Sequence, residues 1–241
     1  KMKKLILTVT MVVAAVVMCQ AKSPIKGNGA EKKDARTIAE YTAISVADGI
    51  ALNFSREQLS GIVVTADENG CEYVVTEVVG GELIVRFKTG ETVKPKKDVV
   101  VTVPNNGSVT ALTIGANCKF SMKEEVVVEG MKLKLMGGAQ VEMKLDARQT
   151  VQIEMIGNAK CELVGKAAEM KLVMEGGSKF NGYNFKTKNA ACELAGGSDA
   201  KIQCNDRIDV ADLTGNSTLY FKGDCEIGKV NLKGGSTLGN R

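Results

Sequence analysis

The chain has 241 residues, 25% of them charged and 44% hydrophobic, with a formal net charge of +4. That balance belongs to a folded chain rather than a disordered or membrane-embedded one. There is no His, which excludes a Ser-His-Asp triad, a Cys-His dyad, a His-ligated zinc and a His general base within this chain. Aromatics are 4%, with no Trp, and 26 Gly stand against 3 Pro, so the glycines point to ordered tight turns.

Residues 1–21 read as a secretory signal peptide. Lys1, Lys3 and Lys4 form a basic start, Leu5 to Met18 is apolar apart from Thr8 and Thr10, and Cys19-Gln20-Ala21 offers a small-x-small cleavage site. The apolar run is shorter than the roughly 20 residues of a spanning helix, so no membrane span is expected after cleavage. Lipidation at Cys19 would need a small residue before it, and Met18 is large. Cleavage after Ala21 removes three lysines and lowers the net charge from +4 to +1. A nearly neutral chain lacks the electrostatic footprint of a nucleic-acid partner.

Residues 22–35, with Lys22, Lys26, Lys32, Lys33 and two glycines, read as a flexible leader. Residues 36–104 read as an N-terminal mixed or antiparallel β section that begins and caps the repeats of the second half. Its expected strands are Ile50–Phe54, Ile62–Ala66, Cys71–Val78, Glu82–Phe87 and Val99–Val103, with Asn69-Gly70 and Gly80-Gly81 as hairpin turns.

Residues 105–241 carry a repeat. Its leading glycines are Gly115, Gly137, Gly157, Gly176, Gly196, Gly215 and Gly234, spaced 22, 20, 19, 20, 19 and 19 residues apart. The motif is Gly-Gly or Gly-Asn, then Ala or Ser, then an apolar fifth place at Val141, Cys161, Phe180, Ala200, Leu219 and Leu238. Gly and Asn tolerate positive φ, and the third residue is too small to block a tight corner. The flanks alternate apolar and polar, as in Met131-Lys-Leu133-Lys-Leu135 and Val151-Gln-Ile153-Glu-Met155. This predicts strands with one buried face, stacked as a parallel β-solenoid with rungs of 19–20 residues continuous with the N-terminal section. Six cysteines remain after cleavage: Cys71, Cys118, Cys161, Cys192, Cys204 and Cys225, with no CxxC. They are expected to act as small hydrophobes, although an even count in an oxidising compartment permits disulfides.

The signal, Gly27-Asn28-Gly29, Ala66-Asp67-Glu68-Asn69 and the Gly-Gly-Ser/Gly-Asn-Ser repeats together resemble the auto-transporter adhesin head GIN domain family of Bacteroidetes-type bacteria, over about residues 36–240. The resemblance implies a right-handed single-stranded β-helix, an exported location and an adhesin role. The chain stops soon after Gly234, so the membrane barrel of a conventional autotransporter is expected to be absent from it.

Solenoids also host polysaccharide lyases and hydrolases, which need clustered acids on one face. The densest candidates are Asp199, Asp206, Arg207, Asp209, Asp212, Asp224 and Glu226; the alternative is a solvated corner in which Asp favours turns. Tyr183 and Tyr220 are the tyrosines in the solenoid on which a sugar could stack. Gly196-Gly-Ser-Asp199 has a partial likeness to a calcium repeat, and Lys94-Pro95-Lys96-Lys97 is a small basic cluster. Ser198, Ser217 and Ser236 form a corner ladder without a base beside them, so steric need is expected rather than nucleophiles.

No catalytic, cofactor or metal residues are therefore assigned, and no cofactor is expected. The reading is a non-catalytic exported binding or adhesion module with a surface glycan or protein as ligand, in the periplasm, on the outer-membrane surface or outside the cell. A self-associating periplasmic envelope scaffold, a homo-oligomer, is the alternative, and a carbohydrate-active β-helix enzyme is the third.

Overall fold

The computed structural model describes residues 23–55, 59–105 and 107–241, the side chain of Lys123 excepted. The expected signal peptide, with Cys19 and its cleavage site, lies outside the described residues. The first strands are β1 (Ile25–Lys26), β2 (Glu31–Arg36), β3 (Ala43–Val46), β4 (Ala51–Ser55) and β5 (Ile62–Asp67). A 3₁₀ turn, Cys71–Tyr73, leads to β6 (Val74–Val79), β7 (Glu82–Phe87), β8 (Val93–Lys94) and β9 (Val100–Pro104). Then come β10 (Ala111–Ile114), β11 (Lys119–Val128), β12 (Met131–Met136), β13 (Gln140–Ala147) and β14 (Thr150–Ile156). The chain continues as β15 (Lys160–Glu175), β16 (Lys179–Leu194), β17 (Asp199–Leu213), β18 (Thr218–Lys222), β19 (Glu226–Leu232) and β20 (Thr237–Asn240).

One turn shows why the sequence folds this way. Met131, Leu133 and Leu135 of β12 point inward, Ala139 fills the corner, and Val141, Met143, Leu145 and Ala147 of β13 point inward again. Lys132, Glu142 and Lys144 between them are exposed. No single turn can bury its own apolar edge, so each stacks in parallel register on the next. Leu112, Leu133, Ile153, Leu172, Cys192 and Ala211 form one such inward ladder, every member buried. Each large apolar side chain taken out of water contributes roughly 1.5–3 kcal/mol. The result is the expected all-β parallel solenoid, of about 6 turns.

The corners also stack. Gly138, Gly177, Gly197 and Gly235 share one column with Asn117, Asn158 and Asn216, all at positive φ. The next residue inward is Ala139, Ala159, Ser178, Ser198, Ser217 or Ser236. Ser178 Oγ donates to the Glu175 carbonyl, Ser198 Oγ to Ala195 and Ser217 Oγ to Thr214, each at 2.8 Å. Ser217 Oγ also accepts the Ser198 N–H at 3.3 Å, and Ser236 Oγ the Ser217 N–H at 3.1 Å. The serines therefore satisfy buried backbone as well as fitting the corner.

Two corners differ from the sequence expectation. Ile114 lies opposite Leu135, so Ala116, not Gly115, takes the place of Gly137. A further corner, Asp48-Gly49-Ile50, links β3 to β4 with φ of 62° and 73° at its first two residues. Its Asp-Gly lacks the repeat's spelling but supplies the same left-handed pair.

The N-terminal turns stack out of sequence order. The β3–β4 turn lies between β7 and β9 on one side and β10 and β11 on the other, parallel to all four. The later β7–β9 turn therefore forms the outer end of the stack. Antiparallel strands cover it: β6 pairs with β7, and β5 pairs with β9 and β2. An antiparallel layer stops parallel growth, and a charged edge resists further pairing.

This corrects the flexible leader expected at 22–35. Residues 25–26 pair with 93–94, and Glu31–Arg36 pairs with β5. The Glu-Lys-Lys-Asp-Ala-Arg run is polar because it is an edge strand. Arg36 fastens it, donating to the carbonyls of Val74 at 2.6 Å and Cys71 at 2.9 Å. The Asn69-Gly70 hairpin is also corrected. Gly80-Gly81 does turn β6 into β7, but β5 and β6 do not pair, and Gly70 has φ −97°. Asn69 instead accepts the Asn28 N–H at 2.9 Å and donates to the Lys26 carbonyl at 2.9 Å.

At the other end, Ile227, Val230 and Leu232 of β19 continue the inward ladders yet are 43%, 44% and 44% exposed. Among the described residues nothing covers them.

Candidate binding face

In-register stacking turns outward residues into columns running along the solenoid. On the flank built by β3, β7, β10, β12 and β14, one column reads Glu82, Ala43, Ala111, Lys132, Gln152 and Lys171. Its neighbour reads Ile84, Ser45, Thr113, Lys134, Glu154 and Val173. Short residues on two successive turns lie beside long ones on the next, which leaves a groove. Its volume is about 640 Å³, lined by Ala111, Thr113, Lys132, Lys134, Gln152, Glu154, Lys171 and Val173. A second hollow of about 300 Å³ shares Ala111, Lys132 and Gln152 and reaches Ala43 and Thr150. Lys134 is paired with Glu154 at 2.9 Å. Lys132 and Lys171 make no ion pair among the described residues.

The second flank is mixed in sign. Lys119, Gln140, Lys160, Lys179 and Asp199 form one column, beside Glu142, Glu162, Asn181 and Lys201. The hollow there is about 310 Å³. Lys222 and Lys201 lie over the Tyr183 ring at 5.3 and 5.9 Å, and the Arg241 guanidinium lies 3.8 Å from the Tyr220 centroid. These cation–π contacts cover a face of both tyrosines on which a sugar could have stacked.

The acidic candidates do not converge. Arg207 pairs with Asp209 at 3.1 Å and with Glu226 at 3.4 Å. Asp212 accepts from Asn231 at 3.0 Å on the first flank, while Asp199 sits on the second with Oδ1 buried and unpartnered. Asp206 and Asp224 lie at the corner between them. Among the described residues no three His, Cys, Asp or Glu side chains gather as a metal site. The hydroxyls of the corner ladder are spent on backbone.

The basic cluster Lys94–Lys97 belongs to a clasp the sequence did not expose. Asp67 is buried at the end of β5. It accepts the N–H groups of Gly29 at 2.7 Å, Lys96 at 2.8 Å and Lys97 at 3.3 Å. Gly27 passes so close that a Cβ there would strike the Asp67 carboxylate and come within 2.7 Å of Lys96 N. Burial alone would raise the Asp67 pKa, but the three N–H donors and Lys97 hold it below its ordinary value. An Asp flanked by Gly-Asn-Gly and Lys-Lys was the available signal, but only pairing across 38 residues gives it meaning.

The family model described as "Putative auto-transporter adhesin, head GIN domain" matches residues 40–225. The chain belongs to that family. Solved structures share the fold of this head GIN chain. A "putative adhesin" from Bacteroides fragilis superposes with a TM-score of 0.81 at 14% identity, over 90% of this chain and 100% of its own. A "putative lipid binding protein" from Parabacteroides distasonis gives 0.72 at 18%, over 91% and 100%. A "putative adhesin" from Parabacteroides merdae gives 0.67 at 20%, over 90% and 98%. At these identities the likeness is one of fold. No curated protein matches the sequence. No helix among the described residues of this head GIN chain is long and apolar enough to cross a membrane.

Proposed function

We propose that this head GIN chain is an exported, non-catalytic adhesion module that lays the groove of its first flank along an anionic surface glycan. The observation that carries the reading is the groove itself. Lys132 and Lys171 stand without acidic partners on either side of Gln152, with the short Ala111 next to Lys132 and Ala191 next to Lys171, so an extended ligand along the column meets two free cations. The family supports adhesion, and the basic-apolar start of the sequence supports export.

The test is binding of purified residues 22–241 to immobilised acidic polysaccharides. Lys132→Glu with Lys171→Glu on the groove should abolish binding. Lys119→Glu with Lys160→Glu on the second flank should not. Equal loss from both pairs would overturn the groove assignment, and binding to lipid vesicles instead of glycan would overturn the ligand class. Protease treatment of intact cells, with lysed cells as control, tests surface display.

A second reading, self-association as an envelope scaffold, is favoured by Ile227, Val230 and Leu232. An uncovered β edge with apolar ladder positions pairs with another such edge, here that of a second copy. Its test is light scattering across concentration, with Val230→Lys and Leu232→Lys expected to leave monomer.

A further inference from the structure

Six cysteines occur among the described residues, all as thiols. Four sit apart or deep in the ladders. Cys204 and Cys225 are different. Gln203 lies opposite Lys222 and Arg207 opposite Glu226, so residues 204–206 and 223–225 fill the same corner on adjacent turns. The two thiols lie within hydrogen-bonding reach of each other. Cys204 lies opposite Gly223 and Cys225 opposite Asp206, so the two side chains meet diagonally across the corner between adjacent turns. The rest of that corner column is Ala147, Ala167 and Thr187, all buried and too short to block a bridge.

We propose that Cys204 and Cys225 form a disulfide in the exported protein, stapling the β19–β20 turn to the turn before it. The need is local. Among the described residues that turn has a neighbour on one side only, and Ile227, Val230 and Leu232 are exposed. A terminal repeat with half the usual interface frays first. The bond closes the loop from 204 to 225 and restricts the frayed state.

The chemistry is an exchange with an external disulfide, carried by a thiol oxidant of the export compartment. Cys204 is buried and Cys225 half-buried, so Cys225 reacts first. Its thiolate attacks one sulfur of the external disulfide and releases one thiolate, leaving a mixed disulfide on Cys225. Cys204, losing its proton, then attacks Cys225 Sγ and releases the second thiolate. Two protein thiols are oxidised, one external disulfide is reduced, and two protons leave. Burial, and then the neighbouring Cys204, push the Cys225 thiol up to about 11. The first step should therefore quicken roughly tenfold per pH unit between about 7 and 10.

The test uses purified residues 22–241, reduced and then moved into an oxidising glutathione buffer. Remaining thiols are alkylated and the chain is digested without reductant for mass spectrometry. The expected product is a peptide pair joining Cys204 to Cys225, absent from Cys225→Ser. Amide exchange across Thr218–Lys222 should slow about tenfold or more on oxidation and return with reductant. Alkylation of all six thiols, or a Cys192–Cys204 link, would overturn the proposal. Alkylation of intact native cells forms a second arm. A link that forms in buffer while the cells hold both thiols reduced would overturn the bond for the native protein and count against export, leaving the geometry intact.

Discussion

The side-chain oxygen of Asn158 stands 2.8 Å from the point where a Cβ on Gly177, one turn later, would begin. Asn216 has the same relation to Gly235 at 2.5 Å, whereas Gly197, which follows Gly177 in the column, has nothing within 4 Å of that point. Asn158 and Asn216 thus crowd a side chain on the next turn, more than Asn117 does at Gly138, where the distance is 3.3 Å. Gly177→Ala and Gly197→Ala share the left-handed strain, since both glycines have φ of 74°. That strain costs about 1 kcal/mol. Gly177→Ala should cost about 1 kcal/mol more, because the Asn158 amide must move or lose contacts. Urea titration of the two variants reads the difference, and Asn158→Gly should erase it.

Alternate residues on one strand face opposite media. Leu133→Lys and Val141→Lys place a charge at buried ladder positions, at a cost of about 4 kcal/mol or more, enough to prevent folding of a marginal chain. Glu142→Lys, one residue from Val141, changes an exposed column and should stay within about 0.5 kcal/mol. Circular dichroism and soluble yield distinguish the three. Equal tolerance at all of them would overturn the register.

The serine ladder should be structural. Ser198→Ala and Ser217→Ala each remove a bond to a corner carbonyl, and Ser217→Ala also removes the acceptor of the Ser198 N–H, at about 1 kcal/mol per bond. Ala139 and Ala159 already occupy the same place in earlier turns, so the fold should survive. Thermal melts should shift by a few degrees, with glycan binding unchanged.

The Asp67 clasp should be acid-sensitive. The folded pKa is depressed below that of the unfolded chain. Its stabilisation is therefore complete above the ordinary carboxylate value near ~4 and is lost as pH falls through the lower folded value. Amide exchange at Gly29 and Lys96 should accelerate in that acid window and not between pH 5 and 8. Asp67→Ala should show the fast exchange at neutral pH, and Gly27→Ala should do the same by collision.

The main body of the fold was legible because its information is local. A strand alternating as Met131-Lys-Leu-Lys-Leu135 and a corner spelled Gly-Gly-Ala sit within one turn, and the next turn repeats them. The N-terminal end was less legible. Glu31–Arg36 has the composition of a leader and becomes an edge strand only when β5 lies beside it. Asn69-Gly70 has the spelling of a hairpin, yet its side chain is claimed by residues 26–28. For the candidate face, Lys132 and Lys171 are the polar members of alternating strands and nothing in the sequence singled them out. Register places Lys132 between Ala111 and Gln152 and Lys171 between Gln152 and Ala191, and leaves both without an acid.

The sequence by itself determined a parallel β-solenoid with turns of about 20 residues, since left-handed corner residues and period-two burial are properties of neighbours in the chain. Tertiary structure decided the stacking of residues 82–104 outside 43–55, the closing of Asp67 on Gly29, and the meeting of Cys204 with Cys225. Each depends on backbone pairing between residues 19 or more positions apart. The free energy of such pairing comes from joint burial and shared hydrogen bonds, which no single segment carries.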